Sequence, residues 1–291
     1  MPGRARDFAE RFDLKTAEKR ANLREFARWQ ADAANAVVAR LRALDRTPNT
    51  KDWELEYQLL TKERSTKATL FPDSRLDTLI TDENPNADCF GPNIVRDGAT
   101  WDPRAQRWAG GHPTPWSQTY AATGVRALAR FRSEGVTGNE LQNTVRLSDG
   151  TVVDGNRLLR NESAEQASRD RRDRLAARGI DVRAWRPPTP DEVFTITASE
   201  ANRGRILADA FDQLATPGAF TTETWADVAY KLFQAPQMKN GSDAVIRTYL
   251  AAAAEYRLGR VPDFPHDIDL RAMTMSQRDF VGFVVDHDTR T

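Results

Sequence analysis

Between Lys15 and Arg46, apolar residues return at steps of three, four and seven: Leu23, Phe26, Ala33, Val37, Leu41 and Leu44. A strand, with its period of two, cannot gather these positions on one face, whereas an α-helix does so directly. Arg20, Arg24, Arg28, Arg40 and Arg42 fall on the other side. Thr16 is placed to cap the start, and Thr47-Pro48-Asn49 ends the periodic run. A helix of this length needs partner helices for its apolar stripe, so the chain is expected to be mainly α.

The same reasoning extends along the chain. Trp53, Tyr57 and Leu60 predict a helix over 53–64, and Leu76, Leu79 and Ile80 one over 74–81. Thr114-Pro115 opens a helix to about 133, with Ala121, Val125, Leu128 and Phe131 as its buried stripe. A polar helix is expected over 162–178. Three more are expected over 198–215, from Thr221 or Thr222 to Pro236, and from Ser242 to Gly259. Two segments break the helical pattern. Residues 82–116, rich in proline, glycine, asparagine and tryptophan, read as a long ordered loop region with short strands. Val145 and Leu147, then Ser148-Asp149-Gly150, then Val152-Val153 read as one small β-hairpin over 144–153. Pro187-Pro188-Thr189-Pro190 is the best internal boundary. It divides an N-terminal helical region, 1–187, from a C-terminal one, 188–291, with one single domain as the alternative.

Composition narrows the classes of function. The 291 residues carry 42 basic and 42 acidic side chains, and this balance argues against a general nucleic-acid binder. The abundance of arginine over lysine, together with alanine, suggests a GC-rich bacterial genome. Cys89 is the only cysteine, which excludes an internal disulfide framework. The first 30 residues are charged throughout, unlike a secretory signal peptide, and no apolar run approaches the roughly 20 residues that cross a bilayer. The expected location is cytoplasmic, or outside the cell after export by a dedicated injection system. Phosphate-loop, dinucleotide, nucleophile-elbow and zinc-protease signatures are missing, and no metal site is expected.

The most informative segment is Gln234-Ala235-Pro236-Gln237-Met238-Lys239-Asn240-Gly241-Ser242, which leads through Asp243 to Arg247. It delivers the chain from one amphipathic helix into the start of the next, where free N–H groups and the helix dipole favour an anion. Lys239, Asn240, Gly241, Ser242 and Arg247 are therefore the candidate binding residues for a phosphate or carboxylate. The plainer reading makes Ser242 a helix cap, Gly241 a turn residue and Lys239 a solvated charge.

This helix–loop–helix resembles the core of the Fic/Doc (Fido) family. Its motif, of the type H-P-F-x-D/E-G-N-G-K/R, lies between two helices. Ala235-Pro236 stands where the family has His-Pro, and Lys239-Asn240-Gly241-Ser242 where it has its glycine–asparagine anion cradle. The resemblance implies transfer of a nucleotidyl or phosphoryl group to a protein hydroxyl, a nucleotide with Mg as cofactor, and the 144–153 hairpin as a target-docking flap. It departs from the family at position 235, where alanine replaces the catalytic histidine, and in the loop spacing. No histidine-based mechanism carries over.

Three further places carry chemistry-bearing residues. His266 and Asp267, in Pro265-His266-Asp267-Ile268-Asp269, form a candidate acid–base pair, against a capping role for Asp267 or Asp269 in the following helix. Asp286-His287-Asp288 is read as a loop cluster at the C-terminus. His112 lies beside Trp101, Trp108 and Trp116, which suit either ring stacking or anchoring of the long loop.

Two functions follow. One is a phosphate- or nucleotide-handling protein, in its sharpest form a divergent Fic-like transferase or effector toxin acting on a protein target. The other is a non-catalytic helical interaction or assembly protein.

Overall fold

The computed structural model describes residues 17–68, 79–91, 100–102, 104, 107–179, 182, 187–263 and 265–290. The fold is mainly α. Its described elements, in order, are α1 (Ala17–Arg42), α2 (Thr50–Ala68), β1 (Ala87–Phe90), β2 (Thr100–Asp102), β3 (Arg107–Ala109) and α3 (Pro115–Ser133). Then come β4 (Glu140–Arg146), β5 (Val152–Leu159), α4 (Asn161–Ala177), β6 (Val193–Ile196) and α5 (Glu200–Ala215). The chain continues with α6 (Thr222–Gln234), α7 (Ser242–Leu258), α8 (Ile268–Thr274) and α9 (Gln277–Thr289).

The helical core is centred on α7, whose side chains from Val245 to Ala254 are all buried. The run Ala251–Ala254 keeps one stretch of α7 thin, and α1 packs along this helix. Aromatic residues fill the space between α2, α5 and α7. The Tyr249 ring meets Tyr57 edge-on at 5.2 Å and Trp53 at 6.1 Å, and its hydroxyl donates to the Trp53 carbonyl at 3.0 Å. Tyr57 also packs on Phe211, with ring centroids 5.6 Å apart. Burial on this scale is the main stabilising term, at about 1.5–3 kcal/mol for each large apolar side chain. The stripe Trp53, Tyr57 and Leu60 is buried as the sequence predicts.

One antiparallel sheet, in the order β1-β6-β5-β4, stands beside the helices. The expected hairpin is thus two strands of a larger sheet. The short strands ADCF and VFTI that complete it are too brief to show a clear alternation. β6, which follows Pro187, lies between β1 and β5, and the main core draws side chains from Trp29 to Val284. A second hairpin, β2–β3, sits within the loop region and places Trp101 opposite Trp108 in register.

Other expectations change in detail. The predicted helix over 74–81 falls mostly outside the described residues; Leu79 itself makes a β-bridge to Met238 and is exposed. In α3 the buried face holds Thr123, Gly124, Ala127 and Phe131, while Val125 is exposed. The cause is Gly124: a Cβ there would lie 2.8 Å from the Phe90 carbonyl oxygen. Only glycine lets the helix approach β1 this closely, and the approach rotates Val125 outward. Asp286, His287 and Asp288 belong to the last turns of α9 rather than to a loop, and α8 and α9 complete the helical set. No described helix is long and apolar enough to cross a membrane.

Candidate functional site

The loop between α6 and α7 is held by its own chain. Ala235, Pro236 and Met238 are buried. The Gln237 carbonyl accepts from the Ile80 N–H at 2.9 Å. Ser242 turns inward: its Oγ donates to the Met238 carbonyl at 2.8 Å and accepts from the Met238 N–H at 3.0 Å. Gly241 takes the left-handed φ of 88° at the cap position of α7, and the Arg64 side chain packs against it. Asn240 is exposed.

Lys239 leaves this loop toward β1 and α4. Its Nζ donates to Asn84 Oδ1. Burial, then the positive charges of Arg174, Arg178 and Arg171, push the Lys239 ammonium down to about 8, opposed by Asp88. Asp88 is itself shifted upward by burial, against the charge of Arg171 and a hydrogen bond at 2.9 Å from the Asn86 amide. Three arginines thus act on Lys239, and one of them, Arg171, acts with Lys239 on a carboxylate whose charged form burial disfavours. Arg171 and Arg174 come from the polar helix α4 and Arg178 from its C-terminal cap; the sequence of this helix reads as a solvated surface helix and gives no sign of the loop it faces.

The remaining predicted residues gather elsewhere. Arg247 is buried, and its guanidinium is divided between Asp243 Oδ1 at 2.5 Å and Asp269 Oδ1 at 2.6 Å, with a further bond to the His266 carbonyl at 2.7 Å. Burial disfavours its charge, but the two carboxylates outweigh burial and raise its affinity for the proton. Asp267 is buried between Arg271 Nε at 2.9 Å and Arg126 Nη2 at 3.2 Å. Burial works against its charge; the hydrogen bond and charge of Arg271, with Arg126 and His266, prevail and hold the carboxyl below its ordinary range. Asp267 occupies the cap position of α8 without a side-chain cap bond. His266 is exposed. The structure therefore separates the candidates into a loop group, Lys239 to Ser242, and a second group in which the ion pairs of Arg247 and Asp267, with the His266 carbonyl, tie α3, α7 and α8 together.

The 144–153 hairpin is likewise committed to the helices. At its tip the Ser148 N–H donates to Asp209 Oδ1 of α5 at 2.8 Å. Near its base the Asn156 N–H donates to Gln234 Oε1 at 2.9 Å, and Gln234 Nε2 donates to the Ala272 carbonyl at 2.6 Å. Asn143 and Asn156, both buried, bond to each other at 2.7 Å and to the Met273 carbonyl. Elsewhere, His112 is exposed and Trp116 packs on Tyr120, with ring centroids 4.3 Å apart and planes tilted by 37°.

A cleft of about 920 Å³ opens between the β4–β5 hairpin and helices α6 and α9. Its floor holds a lysine that sequence reasoning passed over. Lys231 is 1% exposed, with its Nζ 2.6 Å from both Asp209 Oδ2 and Asp227 Oδ2. Asp227 also accepts from Gln277 Nε2 at 2.5 Å and Gln213 Nε2 at 2.9 Å. The only sequence signal was Asp227 and Lys231 one turn apart on a strongly apolar helix. No group of three or more His, Cys, Asp or Glu side chains among the described residues is placed to hold a metal. The chain matches no family model and no curated protein.

Proposed function

We propose that this protein binds a phosphorylated small molecule, with nucleotides as the leading class, at the face formed by Lys239, Asn84 and the arginines of α4. The observation that carries this reading is a partly buried lysine set among Arg171, Arg174 and Arg178, whose hold on the proton burial and then these charges lower to about 8. Cations that disfavour one another are stabilised together by a shared anion, and a phosphate supplies several acceptor oxygens at once. The reading keeps Lys239 and the loop, and draws its further charge from α4 instead of Arg247. The transferase form, a divergent Fic-like enzyme or effector toxin using a Mg-nucleotide, rests only on the α6–loop–α7 hairpin and adds a reaction to the binding event.

The test is thermal unfolding of the protein with inorganic phosphate and with nucleotides, each with and without Mg, repeated on Lys239→Ala and on Arg171→Ala/Arg174→Ala. A ligand at 100 times its dissociation constant adds about 2.7 kcal/mol, which raises the midpoint by roughly 5 °C in a chain of this size. Both variants should lose that rise. A midpoint that no phosphate compound moves, or one that moves equally in the variants, rejects the site. The alternative, an interaction or assembly protein, is favoured by Leu55 and Leu59, exposed one turn apart on α2. Light scattering of wild type and Leu55→Glu/Leu59→Glu tests it; a wild-type dimer that the variant dissolves would support it.

A further inference from the structure

The cleft beside Lys231 has a direction. Helices α6 and α9 run antiparallel along it: Thr222 at the start of α6 meets Asp288 at the end of α9, while Asp227 meets Gln277 at the other end. Glu223 and Asp286 line one end, and Arg146 and Arg278 the other. All four are exposed, and no ion pair among the described residues joins any of them. Eight residues separate Arg278 from Asp286, which at 1.5 Å per residue puts the two ends about 12 Å apart. Val152, half exposed, and Val281 and Val285 supply an apolar wall between them. In the floor, the Gln213 amide nitrogen donates to Asp227, and its Oε1 is buried without a donor among the described residues. Gly282 leaves a gap in the α9 wall: a Cβ built there meets nothing within 4 Å.

We propose that this cleft binds a short zwitterionic peptide of about four residues in extended form. Its free ammonium lies at Glu223 and Asp286, and its carboxylate at Arg146 and Arg278. An extended chain advances about 3.3–3.6 Å per residue, so four residues place their charged ends at the separation of the two acidic and two basic side chains. Small aliphatic side chains fit the valine wall. This site is independent of the Lys239 face.

The experiment is calorimetric titration of the full chain with Ala-Val-Val-Ala, as the free peptide and with its amino or carboxyl terminus blocked. The free peptide should bind, and blocking either terminus should weaken it at least tenfold. Glu223→Gln/Asp286→Asn should remove the sensitivity to the amino block, and Arg146→Gln/Arg278→Gln the sensitivity to the carboxyl block. Gly282→Leu should abolish binding while leaving the unfolding midpoint unchanged or raised, since the leucine enters open space and favours the helix. Absence of binding by the free peptide, equal binding of the doubly blocked peptide, or full binding by a folded Gly282→Leu protein would overturn the assignment. So would complete displacement of the peptide by inorganic phosphate, which would mark the cleft as an anion site.

Discussion

Lys231 and Lys239 stand eight residues apart and meet opposite surroundings. Lys231 is enclosed by Asp209 and Asp227, each 2.6 Å from its Nζ, and both carboxylates take further hydrogen bonds. Lys239 touches a neutral amide oxygen and sits in the field of three arginines, with Asp88 as the opposing charge. The first lysine is a closed arrangement that joins α5, α6 and the hairpin tip. The second carries an excess of like charge that a bound anion would relieve. The comparison shows why residue type alone does not mark a site: Arg247 carries the right charge, beside the right loop, yet is wholly engaged by Asp243 and Asp269.

If Lys231 is structural, removing it should have the largest effect. Lys231→Met strands two partly buried carboxylates and should cost about 3 kcal/mol. Adding Asp209→Asn and Asp227→Asn should restore a good part of that stability, because the uncompensated charges go with the lysine. Urea denaturation of the single and triple variants measures both steps; a single variant as stable as wild type would break the contrast with Lys239. A second, smaller effect tests the hairpin anchor. A Cβ on Gly155 would collide with Gln234 Oε1, which holds the Asn156 N–H. Gly155→Ala should therefore cost about 2 kcal/mol by forcing Gln234 aside. The matched control is Gly204→Ala in α5, where a Cβ meets open space. It should stabilise by about 0.5–1 kcal/mol through helix propensity alone.

The helices were legible because their burial is set by spacing within one segment. Trp53, Tyr57 and Leu60 show this, as do Ile206, Leu207, Ala210, Phe211 and Leu214 on α5. Where a single tertiary contact decides, the spacing misleads: the close approach at Gly124 turned Val125 outward. The strands β1 and β6 were hidden for a related reason. Four residues each, about a hundred positions apart, they become strands by pairing with one another and with β5. The candidate site was half legible. The loop with Lys239 could be read from the helix break at Pro236 and Gly241. The direction of its charge could not, since the arginines that shape it lie on α4, roughly 60 residues earlier. Lys231 lay inside an apolar helix, where its carboxylate Asp227 marked an ordinary surface pair and Asp209 belonged to another helix.

The smallest expected effect is also the sharpest test of how the two lysines differ. Lys239 holds its proton only up to about pH 8 in the folded protein, whereas an exposed lysine keeps it to about 10.5. Between these values the unfolded chain carries a proton that the folded chain has released, so stability rises with pH across that window. Below pH 8 both states are protonated and the cost of the crowded charge is fully present. The buried tyrosines Tyr57, Tyr230 and Tyr249 act in the opposite sense, because burial raises them and their unfolded forms ionise near pH 10. The Lys239 contribution is therefore read between pH 8 and 9.5, before the tyrosines intrude. Wild type should gain stability over that range relative to Lys239→Met, and Lys239→Met should be no less stable than wild type at pH 7. A saturating phosphate ligand at the same face should flatten the difference in slope, since an anion beside the ammonium raises its hold on the proton. Parallel stability curves for wild type and Lys239→Met would mean that neither burial nor the neighbouring arginines lower this lysine's hold on the proton, and the electrostatic contrast with Lys231 would fall.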